Sequence, residues 1–343
     1  MNAIDKLVRE NVLKLTPYSC ARDEFQGSSG IFMDANENPF GSLNRYPDPY
    51  QRELKAAISK FRGIPEEKIF LGNGSDEIID LSFRIFCNPG IDRVLTFTPT
   101  YGMYEVSAAA NDIGVVKIPL NESFQIDLKK AETLLSDKNL KMIFICSPNN
   151  PTSNSMNFED VEYLISNFTG MVIIDEAYID FSEKPSFMKL LDRYSNLLVM
   201  QTFSKAFGLA AVRVGIAFSG PGVIKYYNKM KPPYNISTIN QMAALKKLQN
   251  TSDYLNQVDK IKNERERLSG ILAKMKITER VFPSDANFLL VKVKNASYIY
   301  NKLIEKGIIV RNRSSVIENC IRITVGKRSE NNKLINALNN IQI

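Results

Sequence analysis

From about Tyr50 onward, apolar runs of strand length alternate with segments whose apolar residues recur at helical spacing. The runs are Arg93–Thr98, Val115–Ile118, Met142–Cys146, Met171–Asp175, Leu197–Gln201 and Val212–Phe218, each bounded by turn-forming residues. Tyr50–Phe61 reads as an amphipathic helix stopped by Gly63 and Pro65. Ser75–Phe86 reads as a second, opened by Ser75-Asp76-Glu77, which suits a helix N-terminus. A further helical stretch, Phe158–Phe168, falls between two of the runs. Strands separated by helices predict an α/β fold: a mostly parallel central sheet flanked by helices on both faces. In such sheets ligands bind beyond the carboxyl ends of the strands.

The flanks read differently. Residues 1–41 are irregular apart from a short amphipathic start at Ile4–Leu15. Gln241–Lys276 is long, helical and charged, and leads toward a smaller α+β domain. That domain has strands at Asn287–Lys294 and Ile321–Val325 and helices at Ser297–Lys306 and Glu330–Ile341. The expected division is residues 42–245 as the large domain, with 1–41 and 246–343 forming the small domain and an N-terminal arm. No apolar run reaches spanning length, and the N-terminus lacks a signal-peptide core, so a cytoplasmic protein is expected.

Composition narrows the chemistry. Histidine is absent, which removes Ser-His-Asp catalysis, HExxH zinc sites and a histidine general base. Proton transfers then fall to Lys, Tyr, Cys or a carboxylate with a shifted pKa. Cys20, Cys87, Cys146 and Cys320 are far apart and form no CxxC pair, so neither a disulfide framework nor a metal site is expected. The net charge of +7 comes from scattered residues, without the basic stripe interleaved with aromatics that nucleic acid requires. No nucleic-acid partner is expected.

The stretch Thr202-Phe-Ser-Lys205-Ala-Phe-Gly-Leu-Ala-Ala-Val-Arg213 places a lysine just past a strand, beside two hydroxyls and ahead of an arginine. This suits a lysine that carries an aldehyde cofactor covalently, with Thr202, Ser204 and Arg213 holding an anion. Read alone, it is also compatible with a surface lysine in a Gly/Ala-rich turn. Asp175 ends an apolar strand, where a carboxylate is costly to desolvate without a cationic partner. Gly72-Asn73-Gly74-Ser75-Asp76 leads into a helix N-terminus, a possible phosphate cradle of backbone N–H groups and equally a plain cap.

Taken in order, these motifs resemble the fold-type I pyridoxal-phosphate aminotransferases over most of the chain. The resemblance implies pyridoxal 5'-phosphate as cofactor and Lys205 as its lysine. It also implies Arg213, Gly74, Ser75, Asp76, Thr202 and Ser204 around the cofactor phosphate, with the backbone N–H rather than the carboxylate of Asp76 binding. Asp175 would face the pyridine nitrogen. Asn150, in Ser147-Pro-Asn-Asn-Pro-Thr152, and Tyr178 would face the phenolic oxygen, and Tyr101 would stack on the ring. The family usually has glycine where this chain has Ser153, which puts the local turn in question. Tyr46, in Asn44-Arg-Tyr-Pro-Asp-Pro49, matches a tyrosine that reaches the neighbouring subunit's cofactor phosphate, so a homodimer is implied.

The C-terminal segments Gly307-Ile-Ile-Val-Arg311-Asn-Arg313 and Cys320-Ile-Arg322-Ile-Thr-Val-Gly326 resemble the branch of that family acting on histidinol phosphate. So do Asp34–Phe40, Lys229–Asn235 and Ser284–Phe288. The implied reaction interconverts histidinol phosphate and 2-oxoglutarate with imidazole-acetol phosphate and glutamate, in histidine biosynthesis. Arg322 and Arg311 would take the anionic groups, with Tyr18 and Asn287 on the substrate side. Arginine forks suit both a phosphate and a carboxylate. A phosphothreonine decarboxylase and an aromatic-amino-acid aminotransferase stay open as alternatives. A DNA-binding regulator on this fold is disfavoured, because residues 1–41 are too short and irregular for a helix-turn-helix.

Overall fold

The computed structural model describes residues 3–18 and 30–341. Its larger sheet contains β1 (Ile69–Asn73), β2 (Arg93–Thr98), β3 (Gly114–Pro119), β4 (Leu140–Cys146), β5 (Met171–Asp175), β6 (Leu197–Thr202) and β7 (Val214–Ser219). Their spatial order is β1-β7-β6-β5-β4-β2-β3. From β6 to β3 every neighbouring pair is parallel, while β7 runs antiparallel to both β6 and β1. The carboxyl ends of β1 to β6 therefore share one edge of the sheet, and β7 starts there.

The central strands are buried on both faces, so each position has to be apolar. Ile143 and Ile145, Val172 and Ile174, and Leu197 and Val199 enter one core, against Leu54, Ile58, Val161 and Leu164. Met142 and Phe144, Met171 and Ile173, and Leu198 and Met200 enter the other. That second core is closed by the helices Ser75–Phe86, Met103–Ala110 and Pro221–Met230. Asp175 continues the Met171/Ile173 face of its strand, so it points toward Tyr104 and Cys146 of this second core.

The smaller sheet is antiparallel, in the order β10-β11-β9-β8, from β8 (Thr278–Val281), β9 (Phe288–Val293), β10 (Arg311–Asn312) and β11 (Cys320–Thr324). Leu289, Val291, Ile321 and Ile323 pack against Leu268, Ile299, Leu303 and Leu334 of the helices Thr251–Leu272, Ala296–Glu305 and Arg328–Asn339. The opposite face carries Phe288, Leu290, Cys320 and Arg322, and Phe288 joins a core of the larger sheet.

Some boundaries differ from expectation. The first predicted amphipathic helix runs Arg52–Arg62, because Gln51 takes a left-handed conformation (φ 50°) and Gly63 (φ 68°) ends it. The charged stretch 241–276 is two helices, Thr238–Leu248 and Thr251–Leu272. Between them the Asn250 side chain accepts the Asp253 N–H and caps the second. Ile4–Leu15 divides into a 3-10 turn, Ala3–Lys6, and a short helix, Glu10–Lys14.

Ser153 does adopt the conformation that favours glycine, with φ 67°. Its buried hydroxyl donates to the Pro283 carbonyl at 3.2 Å, and its own carbonyl accepts the Asp285 N–H at 2.8 Å. Asp285 in turn accepts the Ser155 N–H at 3.0 Å. This turn therefore ties the strand order of the large sheet to the entry of β9. Cys87, Cys146 and Cys320 are free, buried thiols, and Cys20 lies outside the described residues. Among the described residues no helix is long and apolar enough to cross a membrane.

Candidate active site

A cavity of about 590 Å³ opens at the carboxyl edge of the large sheet, closed on its far side by β10 and β11. Lys205 follows β6 in a turn pinned by Phe203 N–H to the Val214 carbonyl and Gly208 N–H to the Lys205 carbonyl. Its side chain is accessible from the cavity, with Nζ 5.6 Å from the centre of the Tyr178 ring. Partial withdrawal from water, followed by the positive field of Arg322, lowers the Lys205 pKa, against the opposing pull of Asp175. Among the described residues its amine has no ion-pair partner.

Asp175, at the end of β5, is buried. Its Oδ2 accepts the Tyr104 hydroxyl at 2.8 Å and its Oδ1 the Ala177 N–H at 3.0 Å. Burial raises its pKa, and these two donors and Lys205 oppose the rise. Among the described residues this carboxylate has two hydrogen bonds and no directly bonded cation, a set that a protonated ring nitrogen would complete.

Anion-binding groups gather on the adjoining wall. The helix Ser75–Phe86 begins with no side-chain cap, leaving its first N–H groups open toward Ser75 and Asp76 on the cavity wall. Thr202 and Ser204 join them, linked by a 3.0 Å hydroxyl bond. Arg213 holds a left-handed backbone (φ 53°), a costly conformation for a branched cation, and reaches back to Asp76 at 3.2 Å. Gly74 (φ 77°) takes a conformation that favours glycine, and a Cβ there would displace the Arg213 guanidinium from its place. At Gly215 a Cβ would lie 2.5 Å from the Ser75 nitrogen, so bare backbone lets β7 and the helix start approach. The Asp76 carboxylate is occupied by Arg213 and by the Tyr101 hydroxyl at 3.2 Å. That leaves its backbone N–H to face an anion.

Tyr178 is buried edge-on against Phe288, and burial raises its phenol pKa. Asn150 accepts a hydrogen bond from Arg322 at its side-chain oxygen, which leaves its amide N–H₂ as the available donor. The arrangement can hold a planar, phosphate-bearing aldehyde between Lys205, Asp175 and the helix start.

Residues 13–338 match the family described as aminotransferase class I and II. This chain belongs to that family. The histidinol-phosphate aminotransferase of Parabacteroides distasonis is 49% identical over the whole of both chains. That of Cytophaga hutchinsonii is 47% identical over 98% of each. Among solved structures, the histidinol-phosphate aminotransferase of Sinorhizobium meliloti in complex with pyridoxal-5'-phosphate superposes with a TM-score of 0.80. It is 26% identical, and the match covers 89% of each chain.

In this aminotransferase the cavity wall brings together Ser75, Asp76, Tyr101, Asn150, Asp175, Tyr178, Thr202, Ser204, Lys205, Arg213, Arg311 and Arg322, twelve of the residues singled out from the sequence. Gly74 stands just behind it. Tyr18, Tyr46 and Asn287 lie outside that wall. Tyr18 is exposed. Tyr46 stacks on Tyr234 (centroids 4.4 Å apart) in a separate cleft. Asn287 precedes β9, its carbonyl accepting the Val325 N–H. Sequence reasoning missed Tyr104, and it noted Arg313 in the Gly307–Arg313 motif without giving it a role. Tyr104 lies one helical turn beyond Tyr101, a spacing that could have flagged it. Arg313 lies two residues from Arg311, the period of a strand.

Proposed function

We propose that this pyridoxal-phosphate-dependent aminotransferase interconverts histidinol phosphate and 2-oxoglutarate with imidazole-acetol phosphate and glutamate. The observation that carries the substrate assignment is the group of arginines on the small sheet, facing Lys205 across one cavity. A site that takes a phosphate in one half-reaction and a second carboxylate in the other needs cationic forks there, and few acids nearby. Relatives of similar full length bear the same name.

The residues fit the cofactor. Bound there, pyridoxal phosphate supplies an aldehyde that takes the amino group and a ring that draws electrons from the neighbouring C–H bond. The helix start at Ser75, with Thr202, Ser204 and Arg213, holds its phosphate. Asp175 would face the ring nitrogen, with the Tyr104 hydroxyl favouring its charged form against burial. Tyr178 and the Asn150 amide donate to the phenolic oxygen, and Tyr101 covers the ring. Lys205 would anchor the aldehyde carbon, and its amine would carry a proton from the substrate's amine-bearing carbon. Its lowered pKa favours the neutral amine needed for that task. Arg311 and Arg322 orient the anionic end of the substrate.

A homodimer accompanies this reading. Tyr46 lies outside its own cavity, on a segment with Ile31, Met33, Phe40 and Leu43 exposed, which suits service at a second subunit.

The test is the absorption spectrum of the cofactor-loaded protein on adding L-histidinol phosphate without a keto acid. Conversion of the bound cofactor from its aldehyde to its amine form is expected, and Lys205→Ala should abolish it. An unchanged spectrum would overturn the substrate assignment. Carbon dioxide release from phosphothreonine would replace it with decarboxylation.

A further inference from the structure

β10 and β11 pair so that Arg311 lies directly opposite Arg322. Like charges in that position are normally destabilising. The pairing runs one step further, because the Arg313 N–H donates to the Cys320 carbonyl at 2.9 Å. Arg311 and Arg313, two residues apart, therefore share the face that carries Arg322. All three line the cavity. Among the described residues none of the three has an ion-pair partner. The two carboxylates of the cavity wall are occupied elsewhere, Asp76 by Arg213 and Asp175 by Tyr104.

Arg322 is oriented by Asn150 and by the Phe288 ring, 5.3 Å from its guanidinium carbon. Among the described residues the Arg313 side chain has no such support. Its Nε is shut away from water with no acceptor among the described residues. Burial, followed by the positive fields of Arg322 and Arg311, lowers its pKa. Arg313 and Arg322 are partly withdrawn from water beside the exposed Arg311, and such a cluster of like charges is stabilised when an anion of comparable charge joins it. A single carboxylate is satisfied by one bidentate arginine, whereas a phosphate dianion has three acceptor oxygens for several forks.

We propose that Arg313 is a specificity-determining residue, a third cation that reads the second negative charge of the substrate's phosphate. This rests on the assignment of a phosphorylated amine as substrate. Arg311 and Arg322 serve either partner substrate, and Arg313 separates phosphate from carboxylate.

The test compares cofactor-loaded parent, Arg313→Gln and Arg313→Lys with three amino donors: L-histidinol phosphate, the same amino alcohol without phosphate, and glutamate. In Arg313→Gln, kcat/KM for histidinol phosphate should fall about 10- to 100-fold, mostly through KM, the scale of one lost charged hydrogen bond. The unphosphorylated donor and glutamate should change less than about threefold, which also shows that the variant folds and binds cofactor. Arg313→Lys should recover part of the loss. Inorganic phosphate, used as a competitive inhibitor of the glutamate half-reaction, should lose affinity by the same factor in Arg313→Gln. An unchanged phosphate inhibition constant, or equal losses with all three donors, would overturn the proposal. A parent that ignores histidinol phosphate but whose phosphate inhibition depends on Arg313 would overturn the substrate assignment alone.

Discussion

Removing the Tyr104 hydroxyl tests how the site keeps Asp175 charged. Tyr104 is fully buried, stacked on Phe144 with centroids 4.9 Å apart and edge-on to Tyr101 at 5.6 Å. Tyr104→Phe preserves these ring contacts and removes the 2.8 Å donation to Asp175 Oδ2. A hydrogen bond to a charged acceptor is worth about 1.5–3 kcal/mol. At about 1.4 kcal/mol per pH unit, its loss raises the Asp175 pKa by about one to two units. The direction follows from the site: burial already raises that pKa, and Tyr104 is the first of the groups that hold it down. A protonated Asp175 cannot pair with a cationic ring nitrogen. The acid limb of kcat against pH in the glutamate half-reaction should therefore move upward by about one to two units. The deficit should be largest at low pH and shrink toward alkaline pH. The cofactor should also leave more readily on dialysis. An unshifted acid limb with parental kcat would refute the view that Tyr104 holds the charge on Asp175.

Two further expectations concern stability. Glu176 is buried beside Asp175, accepting from Ser186, Phe187 N–H and Gln201, and burial pushes its pKa up from 4.5 to about 7. A carboxyl raised on folding favours the native state below its unfolded pKa, and that contribution is lost as pH rises through 7. The rise corresponds to about 3 kcal/mol, so Glu176→Gln should gain on the parent by about that amount between mildly acidic and mildly alkaline urea titrations. A difference that does not vary with pH would rule this out. At Ser153, glycine relieves a left-handed strain of about 1–2 kcal/mol while giving up the Pro283 hydrogen bond, and alanine gives up the bond but keeps the strain. Ser153→Ala should therefore unfold at lower denaturant than Ser153→Gly, and the reverse order would refute the account.

Much of the cavity wall around Lys205 was legible in the chain. Lys205, Asn150, Tyr101 and the Gly74–Asp76 turn follow strands and Asp175 ends one, and strand ends of a parallel sheet necessarily share one edge. Local pattern was enough there, because apolar runs buried on both faces declare themselves. β1, β8 and the two-residue β10 escaped notice. β1 ends in Gly-Asn, β8 is a half-exposed edge strand without an apolar run, and β10 is held by pairing with β11 rather than by its own residues.

The sequence by itself therefore determined the layered α/β order, the lysine, the buried carboxylate and the absence of histidine chemistry. These depend on residue type and short-range period. The tertiary structure alone decided that Tyr104 donates to Asp175, and that Arg313 joins Arg311 and Arg322 on one wall. It also decided that Ser153 holds a glycine conformation by bonding across to Pro283. Each depends on the register between strands or on a contact between segments distant in the chain; the spacing of neighbours can put a residue on a shared face but does not say what that face meets.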